Sequence, residues 1–152
     1  MNTDHPAATR QWLFVLARVY LGVSFFFSDH GNRQPDELTR FIQYAMAHGY
    51  SWYQHFLSAV IAPHAATFGT LVVIAEIYVA IALILGLTTR LAACVAMFLL
   101  VNYLCAKGAL PGGPGIDQSD IVLALIILLS NAGRVFGIDR FLHQRFPKVP
   151  IW

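Results

Sequence analysis

The most constraining feature of this sequence is a long apolar run, residues 65–87, that contains a single charged residue, Glu76. About 20 consecutive apolar residues are enough for a helix to cross the roughly 30 Å hydrocarbon core of a bilayer. Such a run is unusual in a soluble domain, because a soluble domain needs polar residues to cover its surface. The run therefore predicts a membrane-spanning helix.

The composition agrees with a membrane location. Hydrophobic residues make up 57% of the chain and charged residues 12%, against about 45–50% and about 25% in typical soluble domains. The net charge is +2 with His neutral, and no basic stripe or recognition motif indicates nucleic-acid binding. We therefore expect the lipid bilayer, and not nucleic acid, as the surroundings of this chain.

Three further apolar runs extend this prediction to an all-α, integral membrane four-helix bundle that forms a single domain over residues 1–152. The predicted helices cover about residues 11–28, 64–88, 90–107 and 117–136. The fourth has an uninterrupted apolar run of only twelve residues, 121–132, so that reaching a spanning length takes in Asp117, Asp120 and Arg134.

Between the first and second predicted helices, residues 36–62 form an amphipathic insertion. Its first part is flanked by Pro35 and Gly49, which are typical helix-boundary residues. A second short segment, 51–62, is rich in aromatic residues. We expect both parts to lie on the membrane surface, with packing over the mouth of the bundle as the alternative. The residues that share one helical face in the first part are Leu38, Phe41, Ile42, Ala45 and Met46.

The distribution of Lys and Arg predicts the orientation. With four spans, six of these cations share a side with both termini and three lie on the other side. The positive-inside rule then places the N and C termini in the cytoplasm and the chain in the cell inner or plasma membrane. The six residues are Arg10, Arg90, Arg134, Arg140, Arg145 and Lys148.

Polar residues inside the predicted spans are candidates for function, because a central charge costs about 2.5–3.5 kcal/mol and usually faces the bundle interior. They are Arg18, Glu76, Asn102 and Asn131 in the first to fourth helices. Glu76 and Asn102 both lie about 16 Å from the inner ends of their helices, near the midplane. This predicts an Arg18–Glu76–Asn102 polar centre that binds a ligand headgroup or relays a proton. A purely structural ion pair is the alternative.

Two other assignments have alternatives. Helical side chains lean toward the N-terminus, so Arg18 could instead extend to the inner headgroups. Asp120, at the mouth of the fourth helix, is either an N-terminal cap or a substrate contact. The scattered His residues and the two cysteines, Cys94 and Cys105, lack the spacing of metal ligands, so no metal site is predicted.

Three segments together resemble a known family. The first helix contains Arg18-x-x-Leu21-Gly22 followed by three Phe. In the second, Glu76 is followed by LILGLTTR at residues 83–90. In the last, Asp120 is followed by GRVFGID at residues 133–139. In order and spacing these segments resemble the DoxX/DoxD-like membrane proteins, which include the DoxD subunit of thiosulfate:quinone oxidoreductase.

The resemblance implies a small membrane subunit that is linked to quinone or sulfur redox chemistry and receives electrons from a partner redox protein. Glu76 and Arg18 are then the candidate catalytic residues: Glu76 would exchange protons with the quinone, and Arg18 would polarise one of its oxygens. Whether the chain is catalytic alone, and whether it forms a homo-oligomer, stays open. A non-enzymatic assembly protein and a small transporter are the alternative functions. The candidate ligand-binding residues are Asn102, Tyr20, Tyr78, Tyr103 and Asp120.

Overall fold

The computed structural model describes residues 5–27, 37–108, 116–130 and 132–146, and every regular element in these ranges is helical. The all-α prediction is confirmed for them. Asn131, the connections 28–36 and 109–115, and the ends of the chain lie outside the described residues. The α-helices are α1 (His5–Phe27), α2 (Glu37–His48), α3 (Ser51–Phe56), α4 (Ala65–Leu85), α5 (Thr89–Lys107), α6 (Ile116–Leu129) and α7 (Asp139–Arg145).

Two helical stretches of the described chain are long and apolar enough to cross a membrane. They are Ser51–Leu85, with 35 residues, and Thr89–Lys107, with 19. Gln11–Phe27 forms a shorter apolar stretch within α1, and α6 has 14 residues. By length and composition, the two central helices of the chain thus meet the requirement for a span.

The sequence analysis treated the segment 51–62 as separate from the predicted helix 64–88, but the structure joins the two. α3 continues through a π-helical turn, Leu57–Ile61, and a 3-10 turn, Ala62–His64, directly into α4. Pro63 lacks an amide hydrogen, and its ring clashes with the carbonyl four residues earlier in a regular α-helix. The wide turn followed by the narrow turn accommodates the proline without a break in the helix.

Small residues form the contacts between the long helices. α1 packs on α4, α4 on α5, and α5 on α6. Gly22 of α1 is so close to Ala80 and Ile84 of α4 that an added Cβ would meet them at 2.9–3.1 Å. Large apolar side chains such as Phe98 and Leu71 instead face outward. Small residues inside and large apolar residues outside are typical of membrane helices. The buried alanines at these contacts are Ala80, Ala82, Ala92, Ala93, Ala96 and Ala124.

The amphipathic helices cover one end of this arrangement. α2 packs on α4 and α5, and α3 also contacts α5. Ala45, Tyr53, Leu57 and Ala106 form a second, smaller core at this end. The amide of Tyr50 donates to the carbonyl of Cys105 at 3.3 Å, which ties the α2–α3 connection to the C-terminal end of α5. The insertion thus packs on α4 and α5, and its position relative to a membrane surface stays a prediction.

α6 ends seven residues before the predicted boundary at residue 136. After Leu129 the Ser130 hydroxyl accepts from the amide of Ala132 at 3.3 Å, and a 3-10 turn occupies Ala132–Arg134. Phe136 has a left-handed backbone with φ of 52°. The side chain of Arg18, from the other end of the sequence, binds carbonyls in this stretch. That long-range contact is absent from the local pattern, which is why the boundary prediction was wrong.

Candidate functional site

The structure places the candidate polar residues in two regions. The Arg18–Asp139 junction consists of Arg18, the turn at residues 86–89 and residues 132–139. The Glu76–Tyr103 centre consists of Glu76, Tyr103, Tyr53 and Asn102. Gly86 lies against the Arg18 guanidinium, and Glu76 is ten residues earlier in α4, about 15 Å along the axis. The predicted Arg18–Glu76–Asn102 centre is therefore divided between two sites.

Arg18 is enclosed by protein, with 1% of its surface exposed. Its Nη1 donates to the carbonyl of Ala132 at 3.0 Å and its Nη2 to the carbonyl of Phe136 at 3.4 Å. The side chain thus extends toward the N-terminal end of α1, as helical geometry favours. It reaches backbone oxygens of the C-terminal segment. The prediction that Arg18 pairs with Glu76 is wrong for this reason.

Asp139 provides the negative charge of the junction and is fully buried. Its Oδ1 accepts from the amide of Thr88 at 2.5 Å and its Oδ2 from the amide of Thr89 at 2.8 Å. These amides begin α5, where the first N–H groups have no partner within the helix and the helix dipole favours an anion. The carboxylate also interacts electrostatically with Arg18. Asp139 therefore links the start of α5 to the buried guanidinium.

Backbone contacts complete the junction. The amide of Asp139 donates to the carbonyl of Gly86 at 2.8 Å, and that of Ile138 donates to the carbonyl of Leu85 at 3.3 Å. Gly86 ends α4 with φ of 66°. A Cβ at Gly86 would meet the Arg18 guanidinium and the backbone of Gly137. Only glycine combines the left-handed backbone with this close approach.

The sequence analysis missed the roles of Asp139, Thr88 and Thr89. These residues do lie in the segments that resemble the family. Thr88 and Thr89 belong to the segment 83–90, and Asp139 is the last residue of the segment 133–139. These two motif segments contact each other in the structure.

The Glu76–Tyr103 centre joins α4 to α5 through side chains. The Tyr103 hydroxyl donates to Glu76 Oε1 at 2.5 Å. The ring of Phe41, from the covering helix α2, packs edge-on against Tyr103 with 5.8 Å between ring centroids. Both polar residues are half-buried. A carboxyl and a phenol are thereby held together under the amphipathic cover.

A second set of hydrogen bonds involves Asn102, the residue that precedes Tyr103 in α5. The Tyr53 hydroxyl of α3 donates to Asn102 Oδ1 at 3.1 Å, and Asn102 Nδ2 donates to the carbonyl of Phe98 at 2.7 Å. Asn102 and Tyr103 are adjacent in sequence, so the two pairs begin at neighbouring backbone positions. Together they present hydroxyl, carboxyl and amide groups that can bind a carbonyl or hydroxyl oxygen and exchange a proton.

The other candidate residues lie elsewhere. Tyr20 is exposed on the surface of α1. The Tyr78 hydroxyl bonds the Thr88 hydroxyl at 2.7 Å, so Tyr78 belongs beside the junction. Asp120 is buried and bonds Ser24 of α1. α6 begins four residues before it, at Ile116, so Asp120 is not the N-terminal cap. Within the described residues no group of three or more His, Cys, Asp or Glu is arranged to hold a metal ion.

Two apolar helices of spanning length that pack through alanine and glycine, with polar contacts between helices, are typical of a small helical membrane protein. Residues 38–151 match the family described as DoxD, TQO small subunit DoxD. This match covers well over half of the chain, and the chain belongs to the DoxD family. No curated protein and no solved structure matches it.

Proposed function

We propose that this chain is the membrane subunit of a quinone-linked oxidoreductase of the thiosulfate or sulfur type. The family description names a small subunit of TQO, the thiosulfate:quinone oxidoreductase. In the proposed arrangement α1, α4, α5 and α6 cross the inner membrane as a four-helix bundle, and α2 and α3 form the insertion. Both termini, and therefore the junction, are on the cytoplasmic side.

The Glu76–Tyr103 hydrogen bond is the observation that carries this proposal. A quinone is an apolar ring with two carbonyl oxygens, and its reduction to the quinol consumes two electrons and two protons. Its site therefore needs a proton donor in apolar surroundings. The Tyr103 hydroxyl and the Glu76 carboxyl, 2.5 Å apart between two apolar helices, meet this need.

Each group has a defined role in this scheme. Tyr103 donates its hydroxyl proton to a quinone oxygen, and Glu76, once it has taken up a proton from water, passes that proton to Tyr103. The second proton of the quinol follows the same route. Asn102, held by Tyr53 and by the carbonyl of Phe98, hydrogen-bonds the ligand. The electrons come from a partner redox protein. Arg18 has no contact with the ligand in this scheme, because its donors are directed to Ala132 and Phe136.

Purification in a mild detergent, followed by mass spectrometry of extracted lipids and co-purifying proteins, tests the proposal. We expect a bound quinone and a redox partner with the wild-type chain. Tyr103→Phe and Glu76→Gln should lower quinone reduction by the complex about a hundredfold, the size of a general acid contribution, with normal amounts of folded protein. Tyr44→Phe, on the exposed surface of α2, is the matched control.

Two results would contradict the proposal. Wild-type turnover in both Tyr103→Phe and Glu76→Gln would remove the proton-transfer role. Stoichiometric recovery of a membrane partner without any quinone would favour the alternative, a non-enzymatic assembly protein.

A further inference from the structure

A groove of about 380 Å³ opens near the junction, separate from the Glu76–Tyr103 centre. It lies between the end of α4 and the start of α7. Its lining is mostly apolar and contains one cation. The lining residues are Leu85, Phe136, Gly137, Ile138, Arg140 and Phe141.

Aromatic rings beside the groove are held outward. Phe136 is 65% exposed and Phe141 is 72% exposed. The Phe136 ring stacks on Trp12 of α1 with 4.5 Å between centroids. The left-handed backbone of Phe136 is unfavourable for a bulky residue and is held by the Arg18 bond to its carbonyl. The fold thus keeps this ring at the surface at an energetic cost.

The exposed charge of α7 is positive. Arg140 lines the groove, and Arg145 is exposed at the end of the same helix. Asp139, the acidic residue of α7, is fully buried, and both of its carboxylate oxygens accept backbone N–H groups. The described residues of this helix therefore present cations without an exposed acid.

The position of the groove indicates what fills it. Leu85 is the last residue of α4 and is half-exposed, so the groove continues onto the apolar surface of a spanning helix. Aromatic rings and arginine at a helix end are typical of the headgroup zone, where cations attract anionic lipids. A phospholipid has both parts that this surface complements, an anionic headgroup and an apolar chain.

We propose that this groove is a binding site for one anionic phospholipid. Arg140 contacts the headgroup phosphate, and an acyl chain lies against Leu85 and the rings of Phe136 and Phe141. This site is independent of the proposed quinone chemistry.

Native mass spectrometry of the full chain in detergent, titrated with phosphatidylglycerol or phosphatidylcholine, tests the site. We expect the wild type to bind phosphatidylglycerol about fivefold more tightly, the effect of one cation near an anionic headgroup. Arg140→Gln should remove this preference, and Arg140→Lys should keep it. Arg40→Gln is the matched control, because Arg40 is an exposed arginine on the covering helix α2. Equal affinity of the wild type for the two lipids would overturn the proposal.

Trp12 provides a second readout beside the groove. In the Trp52→Phe/Trp152→Phe background, Trp12 is the remaining tryptophan. Dibrominated phosphatidylglycerol should quench its fluorescence more than dibrominated phosphatidylcholine, and Arg140→Gln should equalise the two. If Arg140→Gln instead releases a co-purifying protein and leaves lipid binding unchanged, the groove is a protein interface and the lipid proposal fails.

Discussion

The Arg18–Asp139 junction and the Glu76–Tyr103 centre are both polar regions between apolar helices, yet they are built differently. In the junction, two buried charged residues bind mainly backbone amides and carbonyls that belong to two separate parts of the chain, the turn at residues 88–89 and the segment 132–136. In the centre, side chains bind mainly other side chains, and Glu76, Asn102 and Tyr103 are half-buried. Tyr53 is buried. The first arrangement links distant segments through their backbones, and the second joins neighbouring helices through side chains, which is the arrangement on which the proposed proton transfer rests.

This difference teaches how to interpret a charge inside a membrane helix. Arg18 is the most costly residue of α1 to bury, and by that criterion alone it is a functional candidate. Its partners show instead that it fixes the C-terminal segment. The less conspicuous Tyr103–Glu76 pair is the better candidate for proton transfer.

Removal of Asp139 should have the largest effect and would break the junction. Asp139→Ala leaves two amides at the start of α5 without an acceptor and leaves Arg18 without its counter-charge. We expect the free energy of unfolding to fall by about 3–5 kcal/mol, measured by denaturation in detergent. Asp117→Ala, which removes a partly exposed ion pair with Lys107, should lower it by less than about 1 kcal/mol. Equal losses would show that the junction has no special structural role.

Two glycine substitutions should have effects of opposite sign. Gly86→Ala forces a Cβ against the Arg18 guanidinium at a left-handed position, so we expect the free energy of unfolding to fall by about 2 kcal/mol. Gly69 lies within α4, where a Cβ would meet Leu38 at an ordinary 3.5 Å. Gly69→Ala should therefore raise it by about 0.5–1 kcal/mol. Thermal unfolding of both variants in one detergent measures the difference, and a tolerated Gly86→Ala would contradict the close packing at the junction.

Among the destabilising substitutions in the two regions, the smallest loss of stability is expected in the centre. Tyr53→Phe removes the hydrogen bond to Asn102 and should lower the free energy of unfolding by about 1 kcal/mol. Tyr44→Phe, whose hydroxyl is on the exposed face of α2, should have no measurable effect. A loss for Tyr53→Phe as large as that for Asp139→Ala would mean that the centre also serves mainly to hold the fold.

The helices that the sequence could predict are those with a strong local signal. The apolar run at residues 65–87 contains α4, which ends at Leu85, and the turn at residues 86–88 follows it. The amphipathic face of α2 likewise follows from its periodicity, because Ala45 is buried and Phe41 packs inward. These features depend on neighbouring residues alone.

The polar contacts could not be predicted in the same way, because they depend on how distant segments meet. From the sequence alone, the Arg18 side chain could extend toward Glu76 or toward the headgroups at its own end of the helix. The segment 132–137, whose carbonyls accept its hydrogen bonds, lies more than a hundred residues later. The early end of α6 follows from the same contact. The sequence analysis placed a boundary between the insertion 36–62 and the predicted helix 64–88, yet a π turn and a 3-10 turn carry the helix past Pro63 without a break.

The bond network of the junction has a consequence for biosynthesis. Arg18 is synthesised about 120 residues before Asp139. During that interval the guanidinium has neither its counter-charge nor the carbonyl acceptors of Ala132 and Phe136. The junction therefore forms only after α7 has been synthesised, and a nascent chain that is cut short before Asp139 is left with an uncompensated arginine.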